Sequence, residues 1–420
     1  MMLLPILCAL AVGLAFVAAL APSLSRLQLV GAAMALGPAA LAGLMSLAFV
    51  FGLPLHACAW SLACSAVILA AVFMLRMRPA PLDRREWIAV AGAAVLLGTL
   101  TLRLMAVPAA RGDGIAIHLL RAEALLQGCF WDWAHGAPAA TLHADYPPGM
   151  PALMATGQIL GGGRSDFAAL LPLVLVLPGT LLFLSASLAR THGAFAASAC
   201  AVLMAFTPGL RTHAVAGYAD PLLAAVLATG ALALVLRMRG LVILCALLLP
   251  WLKLEGHVHA LWLALFVLPL LAPRARFTTA LVLLANAALW FVVLRVHAVV
   301  PPMEEGVPEE LRVDLASLLQ QVLVLGFTPH PMLAVLPGLG ILAAFLLIRD
   351  AGWKKLAALF LLLTTSVVLL PLLRGTALQA MLTGDTLHRI FTQTLPLAIL
   401  LAALAASRIF GRDDGTQSTV

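Results

Sequence analysis

The chain has 420 residues, of which 63% are hydrophobic and only 10% charged, with a mean hydropathy of +1.07. A water-soluble fold of that length is excluded, because no single aqueous domain hides so much apolar surface. The net charge of +7 is spread over short connections between apolar runs, a pattern of membrane topology and not of nucleic-acid binding.

Apolar runs of about 17 to 25 residues, enough to cross about 30 Å of hydrocarbon as helix, recur from one end to the other. They do not alternate polar with apolar residues, which excludes the strands of a barrel. The expected fold class is therefore all-α integral membrane, with about 13 transmembrane helices. They fall at 2–24, 28–51, 54–75, 87–108, 167–189, 192–208, 218–237, 240–253, 257–272, 277–297, 331–349, 354–373 and 388–407. The first run carries no positive residue before its apolar stretch and reads as a span, not a secretory signal. Of the six cysteines only Cys129 falls in an expected loop, so neither a disulfide framework nor a cysteine metal site is implied.

The basic connections at Arg26, 76–87, Arg190, 237–239, 273–276, 349–355 and the tail from Arg408 are placed inside by the positive-inside tendency. That assignment puts 15 Lys and Arg inside against 10 outside, and 5 Asp and Glu inside against 13 outside. Ten of the eleven histidines, all but His192, join the acids on the outer side. Loops that merely connect helices need no such collection, so the chemistry is expected there. The chain reads as one polytopic domain, 1–420, with extra N-terminal spans in 1–86 and a core at 87–408. Its long outer segments are 109–166 and 298–330. In the first, GDGIAIHLLRAEALLQG reads as an amphipathic helix on the membrane surface, with Ile115, Leu119 and Ala122 on one side and Arg121 and Glu123 turned away. The second, acidic at its start and apolar at its end, reads as another interfacial helix. The run GMPALMATGQILGG is too short to span and reads as re-entrant.

Asp113 stands between two glycines just after the fourth span. It can serve there as a base toward a substrate hydroxyl, or simply cap the following helix. In HADYPPGMP (143–151), Pro147, Pro148 and Pro151 stiffen a turn carrying His143, Asp145 and Tyr146, as a site requires and as a proline-led helix start also explains. GYADP (217–221) sets Asp220 at the mouth of a span, where capping is the simpler role. WLKLEGH (251–257) puts Lys253 and Glu255 between two apolar runs, close to membrane depth, where charges are functional or paired with each other. His257 and His259 follow, a His-x-His spacing that signals metal only weakly. In 374–391, Arg374, Asp385, His388 and Arg389 lead into the last span, where an arginine either snorkels to lipid phosphates generally or clamps one phosphate.

Taken together, Asp113, Arg121 on its surface helix, HADYPPGMP, GYADP, KLEG and HRIFTQTLPL resemble a GT-C type membrane glycosyltransferase, in the family's order, over about residues 100–405. The resemblance implies a multispan enzyme taking a sugar from a polyprenyl-phosphate carrier on the outer side. By it Asp113 is the catalytic base and Asp220 the acidic residue of the second outer loop. Lys253 and Glu255 form the Lys-x-Glu-Gly element, and Lys253 and Arg389 are the expected partners of the donor phosphate. Arg121, His143, Asp145 and Tyr146 are expected to contact substrate, and Asp220 and Glu255 to orient acceptor or cations. The chain departs from the family in lacking an aromatic residue before Asp113 and in the three spans ahead of the core. The mechanism expected is deprotonation of an acceptor hydroxyl and direct displacement, which inverts the anomeric centre. Partners are then the polyprenyl-phosphate sugar, a glycan, lipid or protein acceptor and membrane lipids, without nucleic acid. A divalent cation stays open as cofactor, because Asp113, Asp220 and nearby histidines offer ligands.

A secondary transporter or lipid flippase is the competing class, since it too places costly charges within the membrane. It would show matching halves and midplane charges, whereas here no halves match and the polar residues gather on one side. A structural scaffold leaves the clustered acids unexplained. An alanine- and arginine-rich composition with few lysines points to a GC-rich bacterial genome, and so to a bacterial inner membrane with the site facing outward.

Overall fold

The computed structural model describes residues 2–76, 84–107, 110, 114–136, 145–299, 331–350, 353–373 and 385–410. Among these the chain is helical, without a strand. In order the helices are α1 (Leu4–Leu20), α2 (Arg26–Val50), α3 (Leu55–Arg76), α4 (Trp87–Ala106), α5 (Leu120–Gln127), α6 (Phe130–Gly136), α7 (Gly149–Gly161) and α8 (Asp166–Leu170). There follow α9 (Val176–Phe206), α10 (Pro208–Ala214), α11 (Asp220–Val235), α12 (Arg239–Leu252), α13 (Glu255–Val267) and α14 (Pro273–Val296). The chain closes with α15 (Pro331–Leu347), α16 (Lys354–Leu373) and α17 (Asp385–Phe410). Five stretches among the described residues are long and apolar enough to cross a membrane: Arg26–Val50, Arg84–Ala106, Asp166–Phe206, Pro273–Val296 and Thr392–Phe410. The other apolar helices there are shorter, at 10–17 residues.

The N-terminal helices are built into the bundle. Ser25 opens α2 with a capping box, its hydroxyl accepting from the Gln28 backbone N–H while the Gln28 side-chain oxygen accepts from its own. The amide end of Gln28 then donates across to Ser187 on α9 at 3.1 Å. Small residues let the backbones touch. A β-carbon on Gly13 would stand 2.1 Å from the Ala33 carbonyl oxygen, one on Gly37 the same distance from that of Ala9, and one on Gly179 2.5 Å from the Ala35 nitrogen. Such close approach is how apolar helices gain packing energy when no hydrophobic gradient separates them from their surroundings. The peripheral helices carry the opposite pattern: Leu102 and Met105 on α4 and Leu284, Phe291 and Val296 on α14 are exposed. Apolar surface of this extent marks contact with lipid or another apolar partner.

One expectation holds and another changes. The runs 167–189 and 192–208 are two helices, both within α9, that turn back on each other at Gly193 (φ +81°, ψ −177°), a conformation open to glycine but strained for an L side chain, so that Leu181 and Ala201 both stand 3.3 Å from a β-carbon placed on Gly92. The surface helix faces as expected only in part: Ala122 is buried and Glu123 part exposed, but Ile115 is exposed and Arg121, expected to face outward, is fully buried. Its segment begins with one turn of π-helix, Gly114–Leu119, before α5, and the changed periodicity takes Ile115 out of line with Ala122. The second long outer segment lies outside the described residues.

Residues that charge pattern assigned to one side do meet at one end of the bundle. Arg190 pairs with the buried Glu86 at 2.6 Å, Arg408 pairs with Asp350, and the rings of His192 and Trp353 lie 4.9 Å apart. The helix starts and turns that carry GYAD, KLEG and YPPG lie at the other.

Candidate functional site

The site is built from three helix termini whose charges suit their dipoles. Asp220 is the first residue of α11, and Glu255 the first of α13, both at the electropositive end of a helix. Lys253 follows the C-terminus of α12, the electronegative end, in extended backbone (φ −164°, ψ 160°). Pro250 removes a hydrogen bond from the last turn of α12 and helps the helix end there. The hairpin of α12 and α13 folds back beside α11: a β-carbon on Gly230 would meet both Cys245 and Leu263 at 2.9 Å.

Asp220 does not cap its helix, whose N-cap is Ala219 without a side-chain bond. Its carboxylate turns into the bundle, where Oδ1 accepts from the Lys253 ammonium at 2.9 Å and from the Gln393 amide at 2.8 Å. Lys253 also pairs with Glu255 at 3.3 Å, so the mutual pairing weighed from the sequence is present and extended by a second carboxylate. Asp220, Gln393 and His259 are fully buried and Lys253 nearly so. His259 Nε2 lies 3.0 Å from Oε1 of Gln393, which completes a chain His259–Gln393–Asp220–Lys253–Glu255 contributed by α11, α13, α17 and the turn between α12 and α13.

The other motifs dock onto this end through their glycines. Gly114, the second glycine of GDG, sits against the residues that lead to Asp220: a β-carbon there would lie 2.1 Å from the Ala216 oxygen. Gly149, which ends YPPG and starts α7, sits against the residues that lead to Lys253, with its missing β-carbon 2.2 Å from the Trp251 oxygen. Gly217 takes the left-handed conformation (φ +85°) beside Gly114, Met154 and Leu170. The stiff turn is held from outside as well. Arg121 donates to the Tyr146 carbonyl at 2.6 Å while its guanidinium lies over the Phe130 and Trp133 rings, and Trp290 donates to the Asp145 carbonyl at 2.8 Å. Burial pushes Arg121 down to about 10, against the opposing influence of Asp145 and Tyr146, which leaves it a cation at neutral pH. Phe49, Phe130, Trp131 and His297 complete an aromatic wall beside it, the Trp131 and His297 rings stacked at 3.7 Å.

Of the residues singled out from sequence, Asp220, Lys253 and Glu255 come together directly. Asp145 and Tyr146 join the same end through backbone carbonyls that Trp290 and Arg121 hold. Asp113 and His143 lie outside the described residues, as does the side chain of Arg389, which stands in α17 four residues before Gln393. The two histidines of the His-x-His spacing part company: His257 directs its ring nitrogens to the Leu254 and Ala287 carbonyls, and His259 reaches Gln393. Residues two apart on a helix face different ways, so no metal pair forms from them. Among the described residues no three His, Cys, Asp or Glu side chains group to hold a metal. Asp220 and Glu255 are bridged by an ammonium instead, so a cation site built on that pair does not fit. Gln393 was not singled out from the sequence, yet the polar triplet Thr392, Gln393 and Thr394, wholly buried inside an apolar helix, was the available signal. Comparison of the chain with protein-family models, with curated proteins and with solved structures finds no match in any of the three.

Proposed function

We propose that the chain is a GT-C type glycosyltransferase of about 13 spans in a bacterial inner membrane. On this reading it moves a sugar from a polyprenyl-phosphate carrier to a hydroxyl acceptor at the outer face. One observation carries the reading: GYAD and KLEG share a buried ion-paired cluster, and Gly114 and Gly149, the last residues of GDG and YPPG, pack on the residues leading into each. These motifs are far apart in sequence, and a scaffold gains nothing from gathering them.

The chemistry follows from what each group can do. Asp113 takes the proton from the acceptor hydroxyl, and attack on the anomeric carbon breaks its bond to the carrier's phosphate oxygen with inversion. The leaving group is the polyprenyl phosphate, already stable as an anion. Among the described residues Lys253 is already shared by two carboxylates, so attraction of that phosphate falls chiefly to Arg389, with Lys253 supplying a directed N–H. The second oxygen of Glu255, buried without a hydrogen-bond partner among the described residues, is the atom left to accept from a sugar or acceptor hydroxyl. Buried charges near membrane depth also serve transporters, but these stand at helix starts and in the turn between α12 and α13, all at one end of the bundle.

The test is transfer from a panel of radiolabelled polyprenyl-phosphate sugars by purified protein, in the presence of membranes that supply acceptors. Asp113→Asn is expected to lower the rate about 10²- to 10⁴-fold with folding unchanged. No transfer from any donor would overturn the reading and put transport first, to be followed by flux assays. Product NMR showing retention would overturn the displacement step alone.

A further inference from the structure

We infer that Gln393 and His259 are positioning residues that hold the Lys253 ammonium in place through Asp220. What Lys253 then contacts rests on the glycosyltransferase reading; the positioning itself does not.

Donors and acceptors decide the arrangement. An ionised carboxylate only accepts, so Gln393 must turn its NH₂ group toward Asp220 Oδ1, 2.8 Å away. Its amide oxygen then faces His259 Nε2 at 3.0 Å, and that nitrogen must carry the proton. The ring's Nδ1 is buried with no hydrogen-bond partner among the described residues, as suits the bare nitrogen of a neutral imidazole. Reversal of the amide would set oxygen against oxygen at Asp220 and N–H against N–H at His259. One tautomer and one amide orientation therefore fix each other, in a fully buried place where an unmade bond is costly.

The need for such a device lies in Lys253. Its ammonium ends a flexible four-carbon stem, and Glu255 draws it toward the exposed side at 3.3 Å while Asp220 holds it at 2.9 Å. The chain uses arginine at 22 of its 25 basic positions, and lysine otherwise only at Lys354 and Lys355. A compact point charge, aimed by its neighbours, is what lysine offers here and arginine does not. Because Gln393 belongs to α17, which also carries Arg389 one turn earlier, the same bonds set the last helix in register with Lys253.

The experiment uses the full chain in lipid nanodiscs. In ¹⁵N-histidine spectra the wild type is expected to show one ring, absent from His259→Gln, as the neutral Nε2–H tautomer. The Nδ1–H tautomer or a charged ring at neutral pH overturns the inference. Reductive methylation with ¹³C-formaldehyde reads the lysines, of which only Lys253 lies at this end. Gln393→Leu and His259→Phe are expected to raise its modification rate about 10-fold or more, the scale of a lost hydrogen bond to a charged group, with Lys354 and Lys355 unchanged. His259→Gln keeps an N–H donor and is expected to restore protection. Equal rates in wild type and Gln393→Leu overturn the inference. Sugar transfer is measured on the same samples: its absence in the wild type strikes the glycosyltransferase reading alone, because the spectra and labelling still decide the positioning.

Discussion

Arg121 is the clearest case of a single side chain holding a turn. It is fully buried, bonds a carbonyl of the stiff turn and lies over two aromatic rings, so its charge is used to fasten HADYPPGMP rather than left to solvent. Arg121→Met keeps much of the stem's volume and removes the donor. It is expected to lower stability by about 1.5–3 kcal/mol, read as the thermal midpoint in detergent. Lys253 tests a different rule. Lys253→Met strands the Asp220 charge in the interior and is expected to cost about 3–5 kcal/mol, whereas Lys253→Met with Asp220→Leu removes both charges and is expected to recover much of the loss. A double variant as unstable as the sum of the singles would show that the pair is not coupled. These residues differ in how readable they were. Lys253, Glu255 and Asp220 stand out in sequence because a charge in an apolar run has few places to go. Arg121 was turned to solvent because it is charged, whereas the Phe130 and Trp133 rings and the Tyr146 carbonyl receive it inside, and none of these is visible from the periodicity of its own helix. Gln393 carries no charge, and a lone amide in a span reads as tolerated until its partners on two other helices are seen.

At the scale of the element, glycines decide which helices approach. Gly149 and Gly114 admit a neighbouring carbonyl where a methyl group would stand, so Gly149→Ala and Gly114→Ala force α7 and the π-turn away from the residues leading to Lys253 and Asp220. Each is expected to destabilise by about 1–3 kcal/mol, as overpacking does. Gly98, in the middle of α4, has nothing within 4 Å of its missing β-carbon. Gly98→Ala is expected to be neutral or to stabilise by up to about 1 kcal/mol through helix propensity. Equal thermal midpoints for Gly149→Ala and Gly98→Ala would remove the argument for docking through glycine. The positions of the helices were legible from hydropathy, because each must bury its own backbone bonds wherever it lies. The turn at Gly193 was legible to within a few residues, because Arg190 interrupts the apolar pattern there.

For the molecule as a whole, α1 to α3 are more than an extension ahead of a core. α2 lies against α1 and α9, and Gly43 brings it up to Leu248 and Trp251 on α12, two residues from Lys253. Deletion of residues 1–86 is expected to abolish a monodisperse peak in size-exclusion chromatography. A well-behaved truncated protein would show that these helices are dispensable for folding. The shortness of the α12–α13 hairpin has a wider consequence. Helices of 14 and 13 residues reach about 20 Å, so a hairpin started at one face of a 30 Å hydrocarbon core ends about 10 Å short of the other. Thinning of the adjacent leaflet is one response to such a mismatch, and it would bring headgroups toward the level of Lys253. On the proposed glycosyltransferase reading, turnover then depends on the bilayer as much as on the protein: short-chain lipids are expected to speed it, and long-chain lipids to slow it, at constant composition of headgroups.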